Sequence, residues 1–370
     1  MATTPSQPTV RLDTHDLSEE PVEDALFDDL VAQAHQASSP DNLQGWWFTR
    51  GDDHIDVHLP RDRRLPTDVD DMFSLLGIGC AVENLVVAAS GHERAASVAI
   101  DRQDSPHGER IARVTLTEGG TRDPLVDAIP TRCTNRKPYA TTPLTDAQVD
   151  RMRTAAAAVG ARVDLLTTSE QRDAIAALIA DNDWIRMSHR PLHAELFDVF
   201  RLSEREAARG DGLDLASLEL PAAAGVVLRA VGVWPVARVL NGIGLARGFA
   251  KGSGDAARAS GAVGLITVDA PTPAGYVAAG RALQRIWLVA AAEGLAMQPI
   301  GGLAQYLTKV AREPASFLPA QAAHLESLRE PFYSVFPAAR DRTLGILFRA
   351  GVETAPPLGR SRRRPLDTVR

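Results

Sequence analysis

A third of the way along the chain, Arg132-Cys133-Thr134-Asn135-Arg136 puts two guanidinium forks and a hydroxyl into one short loop. A guanidinium offers a planar set of donors that matches the oxygens of a phosphate, and a hydroxyl or a free backbone N–H near a helix start adds a further bond. An exposed basic turn would show the same letters, so the segment gains meaning only beside other pieces. One such piece is Ser38-Ser39-Pro40-Asp41-Asn42-Leu43-Gln44-Gly45-Trp46, a loop of short polar side chains that exposes hydroxyls and amides. Another is Gln298-Pro299-Ile300-Gly301-Gly302, where a proline and two glycines can bring backbone N–H groups close to a flat ligand. The last is the basic run Arg360, Arg362, Arg363, Arg364, ordinarily a solvated tail.

Other chemistries lack support. The two cysteines, Cys80 and Cys133, form no Cys-x-x-Cys pair or metal-spaced cluster, and a reducing cytoplasm is the expected compartment. His189 and His193 lie four apart without a third ligand, so no metal site is assigned. No side chain stands out as a general acid or base, and no catalytic residue is assigned. The net charge of -7, with no basic face interleaved with aromatics, argues against a general nucleic-acid binder. No unbroken run of eighteen or more apolar residues occurs, so no ordinary membrane span is expected. Met1 to Glu20 is polar and acidic, unlike a secretory signal, and reads as a flexible tail.

The elements that must position these residues follow from periodicity. Helices are expected over 21–37 and 69–90, the second with Gly77, Gly79 and Ala81 as a thin face for close packing. Strands are expected at 46–48, 55–59, 95–100 and 111–117. Thr145 to Gln148 is a capping box that opens a helix to Val159. A strand at 161–167, a helix from Ser169 to Met187, a strand at 262–268, a helix at 274–293 and a strand at 343–350 complete the set. Residues 205–261, rich in Gly, Ala and Leu, read as an insertion with short helices, of the kind that forms a lid. Gly79 to Ala89 and Gly280 to Ala290 share a pattern, a weak sign of internal duplication.

At this point the residues resemble a known family. Ile129-x-x-Arg132-x-Thr134-x-Arg136-x-x-Tyr139 is similar to the Arg-x-Ser-x-Arg-type segment with which FMN-dependent nitroreductases hold the flavin phosphate. The Ser38 to Trp46 loop resembles their Ser-Ser-x-x-Asn-x-Gln-Pro-Trp loop, with Gly45 in place of the proline. Gly294 to Gly302 looks like their Gly-Leu-x-x-x-Pro-hydrophobic-Gly segment facing the ring, and Arg363-Arg364-Pro365-Leu366-Asp367 resembles their basic C-terminus. In the family two chains pair, and each flavin takes its Ser/Asn loop from the partner. Here the loop is in the first half, while the phosphate grip, the Pro-Ile-Gly segment and the basic end are in the second. That order resembles the double-length, Acg-like branch.

The resemblance implies an α+β nitroreductase-like fold, with halves 21–124 and 125–370 forming an intrachain pseudo-dimer and 205–261 inserted as a lid. It implies one complete FMN site. Arg132, Thr134, Arg136 and Arg363 or Arg364 would meet the phosphate; Ser38, Ser39, Asn42 and Gln44 would close over from the other half; Pro299, Ile300 and Gly301 would face the ring. The implied activity is hydride transfer between flavin N5 and a small organic substrate, with NAD(P)H as reductant, in a cytoplasmic monomer without nucleic-acid or membrane partners. A flavin-sequestering protein under a lid, or a flavin enzyme of natural-product biosynthesis, would carry the same motifs.

Overall fold

The computed structural model describes residues 22–370, so the tail expected over 1–20 lies outside the described residues. Helix α1 (Asp24–Ala34) leads into the polar loop and then into strands β1 (Trp47–Arg50) and β2 (His54–Leu59). Helix α2 (Met72–Gly91) follows, then the hairpin β3 (Arg94–Ser105) and β4 (Gly108–Glu118). These four strands form one antiparallel sheet in the order β1-β2-β4-β3. The hairpin runs further than the apolar alternation indicated, because charged residues at its tip pair across it: Arg102 Nε donates to Glu109 at 2.7 Å and Arg110 to Asp101 at 3.1 Å.

A second set of elements follows. Helix α3 (Asp146–Ala157), opened by the Thr145/Gln148 capping box, precedes β5 (Arg162–Leu166) and α4 (Ser169–Ser188). Then come α5 (Arg190–Val199), β6 (Phe200–Arg201), α6 (Glu204–Ala207), β7 (Leu213–Asp214), α7 (Ala224–Gly232), α8 (Trp234–Gly242) and α9 (Leu245–Arg258). Strand β8 (Ala262–Val268), helix α10 (Pro273–Ala292), strand β9 (Leu295–Ile300), helices α11 (Gly302–Arg312), α12 (Pro319–Ser327) and α13 (Arg329–Val335), and strand β10 (Thr343–Val352) complete the chain. The second sheet is antiparallel, in the order β5-β8-β10-β9.

The Pro299 segment, expected to present its backbone to a ligand, is the end of a strand: Pro299 pairs with Phe348 and Ile300 with Leu347. Only an edge position tolerates a proline in a ladder, and β9 is an edge strand. Helices α11 to α13 carry no distinctive motif and were not anticipated.

The halves meet where α2 crosses α10. A Cβ on Gly79 would lie 2.1 Å from the Val277 carbonyl oxygen, and one on Gly280 would lie 2.0 Å from that of Leu76, so only glycine permits this approach. Around the crossing, residues of both halves make one continuous apolar core, including Leu76, Val82, Leu283 and Trp287. Within it Glu83, fully buried, accepts from Arg281 Nε at 2.9 Å and Arg285 at 2.7 Å, which compensates its desolvation. The stretch Val69–Gly91 is long and apolar enough to cross a membrane, but 94% of its most apolar 18-residue window is buried among protein, as suits a core helix.

Beyond β10 the chain returns to the first sheet. The Val369 carbonyl accepts from Phe48 N–H at 2.8 Å on β1, and Val369 is fully buried. This C-terminal strap is what brings the basic run back to the polar loop.

Candidate functional site

The arginine loop is held against β9 before any question of ligand arises. Thr134 bridges Met297 in parallel fashion, and Asn135 N–H donates to the Met297 carbonyl at 3.4 Å. Asn135 is buried and donates through Nδ2 to Glu353 at 3.1 Å and to the Ala355 carbonyl at 3.0 Å, tying the loop to the start of the strap. Arg132 then turns inward. Its guanidinium stacks over Trp287 of α10, 4.5 Å from the ring centroid, and donates to the Gln36 carbonyl at 3.1 Å.

The strap supplies further cations at the same place. Arg360 donates to the Arg132 carbonyl at 2.8 Å. Arg363 donates to the carbonyls of His35, Gln36 and Ala37 at 2.8, 2.9 and 3.0 Å, and to Asn42 Oδ1 at 2.9 Å. Arg364 donates to the Gln44 carbonyl at 2.8 Å. Among the described residues none of Arg132, Arg136, Arg360, Arg363 or Arg364 has a carboxylate in ion-pair contact, whereas the adjacent Arg362 pairs with Glu204 at 2.8 Å.

Burial and mutual repulsion act on this set. Burial holds the Arg132 guanidinium down to about 10, and burial followed by Arg132 and Arg360 holds Arg363 down to about 9. Burial also lowers Arg136. Arg132 Nε and Arg364 Nε are buried with no hydrogen-bond partner. A cluster of desolvated, unneutralised cations with unused donors is an arrangement that an anion would stabilise.

The polar loop abuts the cations, though its side chains are already engaged. Ser38 Oγ donates to Gln284 Oε1 at 3.2 Å on α10, and Ser39 Oγ accepts from Gln44 N–H at 3.0 Å. Asn42 Nδ2 donates to the carbonyls of Gly212 and Arg362 at 3.0 and 3.1 Å. Gln44, fully buried, donates to the Gly210 carbonyl at 2.8 Å and accepts from Arg364 N–H at 2.9 Å. The backbone here is strained: Asp41, Asn42 and Gln44 hold φ of 46°, 56° and 52°, in the left-handed region that Asp and Asn tolerate and Gln does not favour.

Asp41 leads to a deeper group the sequence reading did not identify. Its carboxylate accepts from Arg186 of α4 at 3.0 Å, and Asp183 lies one turn earlier on that helix. Burial opposes the charge of Arg186, but Asp41 and Asp183 among its neighbours more than offset it and raise its basicity; burial raises Asp183. Asp183 approaches the start of α11, where a Cβ on Gly302 would meet its Oδ1 at 2.9 Å. Gly301 opens α11 without a side-chain cap, so the first N–H groups of that helix point out from the Pro299-Ile300-Gly301 segment.

Thus the structure gathers Arg132, Arg363, Asn42, Gln44 and Ser38 at one junction. Thr134 ties the arginine loop to the β9 strand that carries Pro299 and Ile300, and Arg136 donates to the carbonyl of Ser217, within the insertion. Trp287, Asp183 and Arg186 were not singled out, since a partner on another element leaves no mark in local spacing, and Arg360 was noted only as part of the basic run. His189 packs against Phe317, while His193 hydrogen-bonds the Val231 carbonyl.

In its motifs and α+β architecture the chain resembles the FMN-dependent nitroreductases. It is 28% identical over 351 residues, 93% of its own length, to an uncharacterised Mycobacterium tuberculosis protein, MT1398, of which it covers 48%. Over 175 residues, 45% of this chain and 51% of the other, it is 30% identical to acg of the same species, provisionally named an NAD(P)H nitroreductase. The chain thus spans about half the length of the curated relatives it matches. Among solved structures, a nitroreductase with bound FMN from Desulfitobacterium hafniense aligns with a TM-score of 0.38 at 12% identity, over 68% of this chain and 98% of that one. No family model matches.

Proposed function

We propose that this chain is an FMN-dependent oxidoreductase of the nitroreductase type, which exchanges hydride with a small organic substrate and uses NAD(P)H as reductant. The observation that carries the reading is the convergence of Arg132, Arg360 and Arg363 with no carboxylate among them. The donor set fits the phosphate of FMN: a dianion there would offset the mutual repulsion of the guanidiniums and give Arg132 Nε an acceptor. Thr134 in the same loop would add its hydroxyl to the grip, while the Arg136 guanidinium is held on the Ser217 carbonyl and would join only by leaving it. Asn42 and Gln44 act one layer back, by holding Arg363 and the strap in place, while Ser38 sets the loop against α10 and Ser39 holds the loop's own backbone at Gln44. The segment Pro299-Ile300-Gly301 and the uncapped start of α11 would face the ring.

FMN, when bound, supplies hydride transfer at N5. The protein's part is to bind, orient and exclude water, so no side-chain acid or base is required.

We read the two halves as a pseudo-dimer with one such site. Exchanging α2 for α10 in the register Gly79 with Gly280 sets Val86 against Trp287 and Glu83 against Gln284. A crevice of about 370 Å³ lies at that second position, lined by Glu83, Val86, Ala158, Val159, Arg281 and Arg285. It has no serine loop, and its arginines are neutralised by Glu83 and Asp123. That contrast supports a single flavin per chain.

The test is anaerobic mixing of the FMN-loaded protein with NADH or NADPH. Prompt bleaching of the flavin band is the expected result. Retention of flavin without bleaching would contradict the oxidoreductase reading and favour a sequestering protein.

A further inference from the structure

The outer face of the insertion has no use in the reading above, and its composition sets it apart from the rest of the molecule. Helices α7, α8 and α9 turn one side inward: Val231, Ala237 and Ala246 are buried against Met187 and Leu196. On the other side Val226, Val239 and Ile243 are 76, 68 and 83% exposed, with Val227, Val233, Val236 and Phe249 also exposed. Val236 and Val239 on α8 and Ile243 just past its end follow helical spacing, so they continue one exposed apolar stripe. Helices α7 and α8 meet at 98°, which spreads the apolar residues into a broad surface rather than a single ridge. Single exposed apolar residues are ordinary, but a contiguous set of this kind marks a contact surface.

The charge of the region indicates what it contacts. Residues 224–258 hold five basic residues, Arg229, Arg238, Arg247, Lys251 and Arg258, against the single acidic Asp255, in a chain of net charge -7. Arg229 is paired with Glu206 and Lys251 with Asp255, but Arg238 and Arg247 are exposed and have no carboxylate partner among the described residues. Apolar side chains flanked by free arginines on short surface helices match the interface of an anionic bilayer: the apolar groups enter the acyl boundary and the cations meet lipid phosphates. A surface association of this kind needs no spanning segment.

We propose that α7, α8 and α9 dock this protein reversibly on the surface of membranes containing anionic lipid. Helix α9 packs on α4 through small residues, with a Cβ on Gly254 only 2.7 Å from the Ala176 carbonyl oxygen. The docking face is therefore rigidly joined to the helix that carries Asp183 and Arg186.

The test is sedimentation of the full chain with phosphatidylcholine vesicles with and without phosphatidylglycerol, at low and high salt, alongside its association state by sedimentation velocity. Binding that requires phosphatidylglycerol and falls with salt is expected. Arg238→Ala with Arg247→Ala is expected to weaken it by roughly thirtyfold, from the usual contribution of a basic residue near an anionic surface. Val239→Glu with Ile243→Glu, both at exposed positions, is expected to abolish it while leaving the circular dichroism unchanged. Failure to bind anionic vesicles, or binding that neither pair of substitutions alters, would overturn the proposal. So would a self-associated wild type that Val239→Glu with Ile243→Glu converts to monomer, since the face would then be a contact between copies.

Discussion

Arg132 and Arg363 donate to the same acceptor, the Gln36 carbonyl oxygen, at 3.1 and 2.9 Å. One belongs to the loop ahead of α3 and the other to the C-terminal strap, so the contact joins both to the segment that follows α1. Two guanidiniums on one carbonyl repel each other, and Arg360 adds a third cation. Nothing in the apolar core requires this arrangement, which is the physical reason for assigning it to an anionic ligand.

The stacking of Arg132 on Trp287 leads to a first prediction. Trp287 is 2% exposed and fills space between α10 and the arginine loop. Trp287→Ala is expected to lower stability by roughly 3–5 kcal/mol through the cavity it leaves. Trp287→Phe should cost less and keep the guanidinium over a ring. Urea unfolding of the two variants measures both; equal losses would remove the stacking from the account.

The helix crossing gives a second. Because a Cβ on Gly79 would strike backbone rather than a movable side chain, Gly79→Ala must push α2 and α10 apart. The expected loss is about 3 kcal/mol or more, at the upper end for overpacking, or failure to fold. Gly119→Ala is a control in open space, although its φ of 81° makes it mildly strained. Equal unfolding midpoints for Gly79→Ala and Gly119→Ala would contradict the packing described.

Acid provides a third. His35 accepts from Trp46 Nε1–H through Nδ1, so its Nε2 carries the proton and donates to the Arg364 carbonyl at 3.0 Å. Burial lowers its pKa from 6.5 to about 4. The unfolded chain therefore takes up a proton between those values and the folded one does not, so stability falls as pH drops through 6.5 and the loss is complete below about 4. Between pH 7 and pH 5 the loss is about 2 kcal/mol from this residue. His35→Gln keeps a donor and an acceptor without titrating, and its stability should fall less over that interval by that amount. Parallel profiles for wild type and variant would show that His35 is not the group responsible.

The legibility of the chain follows from where each constraint lies. Helix α2 was readable because Gly77, Gly79 and Ala81 mark a thin face within an apolar period, and the α3 boundary because a capping box is local. Strand β9 was not foreseen, because Pro299 and Gly301 mask its pattern and the edge position that accommodates a proline is set only by the whole sheet. The candidate site divides in the same way. Arg132, Asn42 and Arg363 stand in short motifs. Trp287, Gln36 and the Asp41–Arg186 pair, by contrast, meet through tertiary contacts between elements far apart in the chain.

The central claim is that Arg132 and Arg363 hold the phosphate of FMN, and fluorescence titration of FMN against riboflavin, which lacks the phosphate, tests it most directly. Wild type is expected to bind FMN far more tightly than riboflavin. Loss of each charge-assisted contact costs roughly 1.5–3 kcal/mol, so Arg132→Ala and Arg363→Ala should each weaken FMN by about ten- to a hundredfold and leave riboflavin unchanged. A wild type that takes up neither flavin, or one that binds FMN and riboflavin equally in all three proteins, would contradict the account.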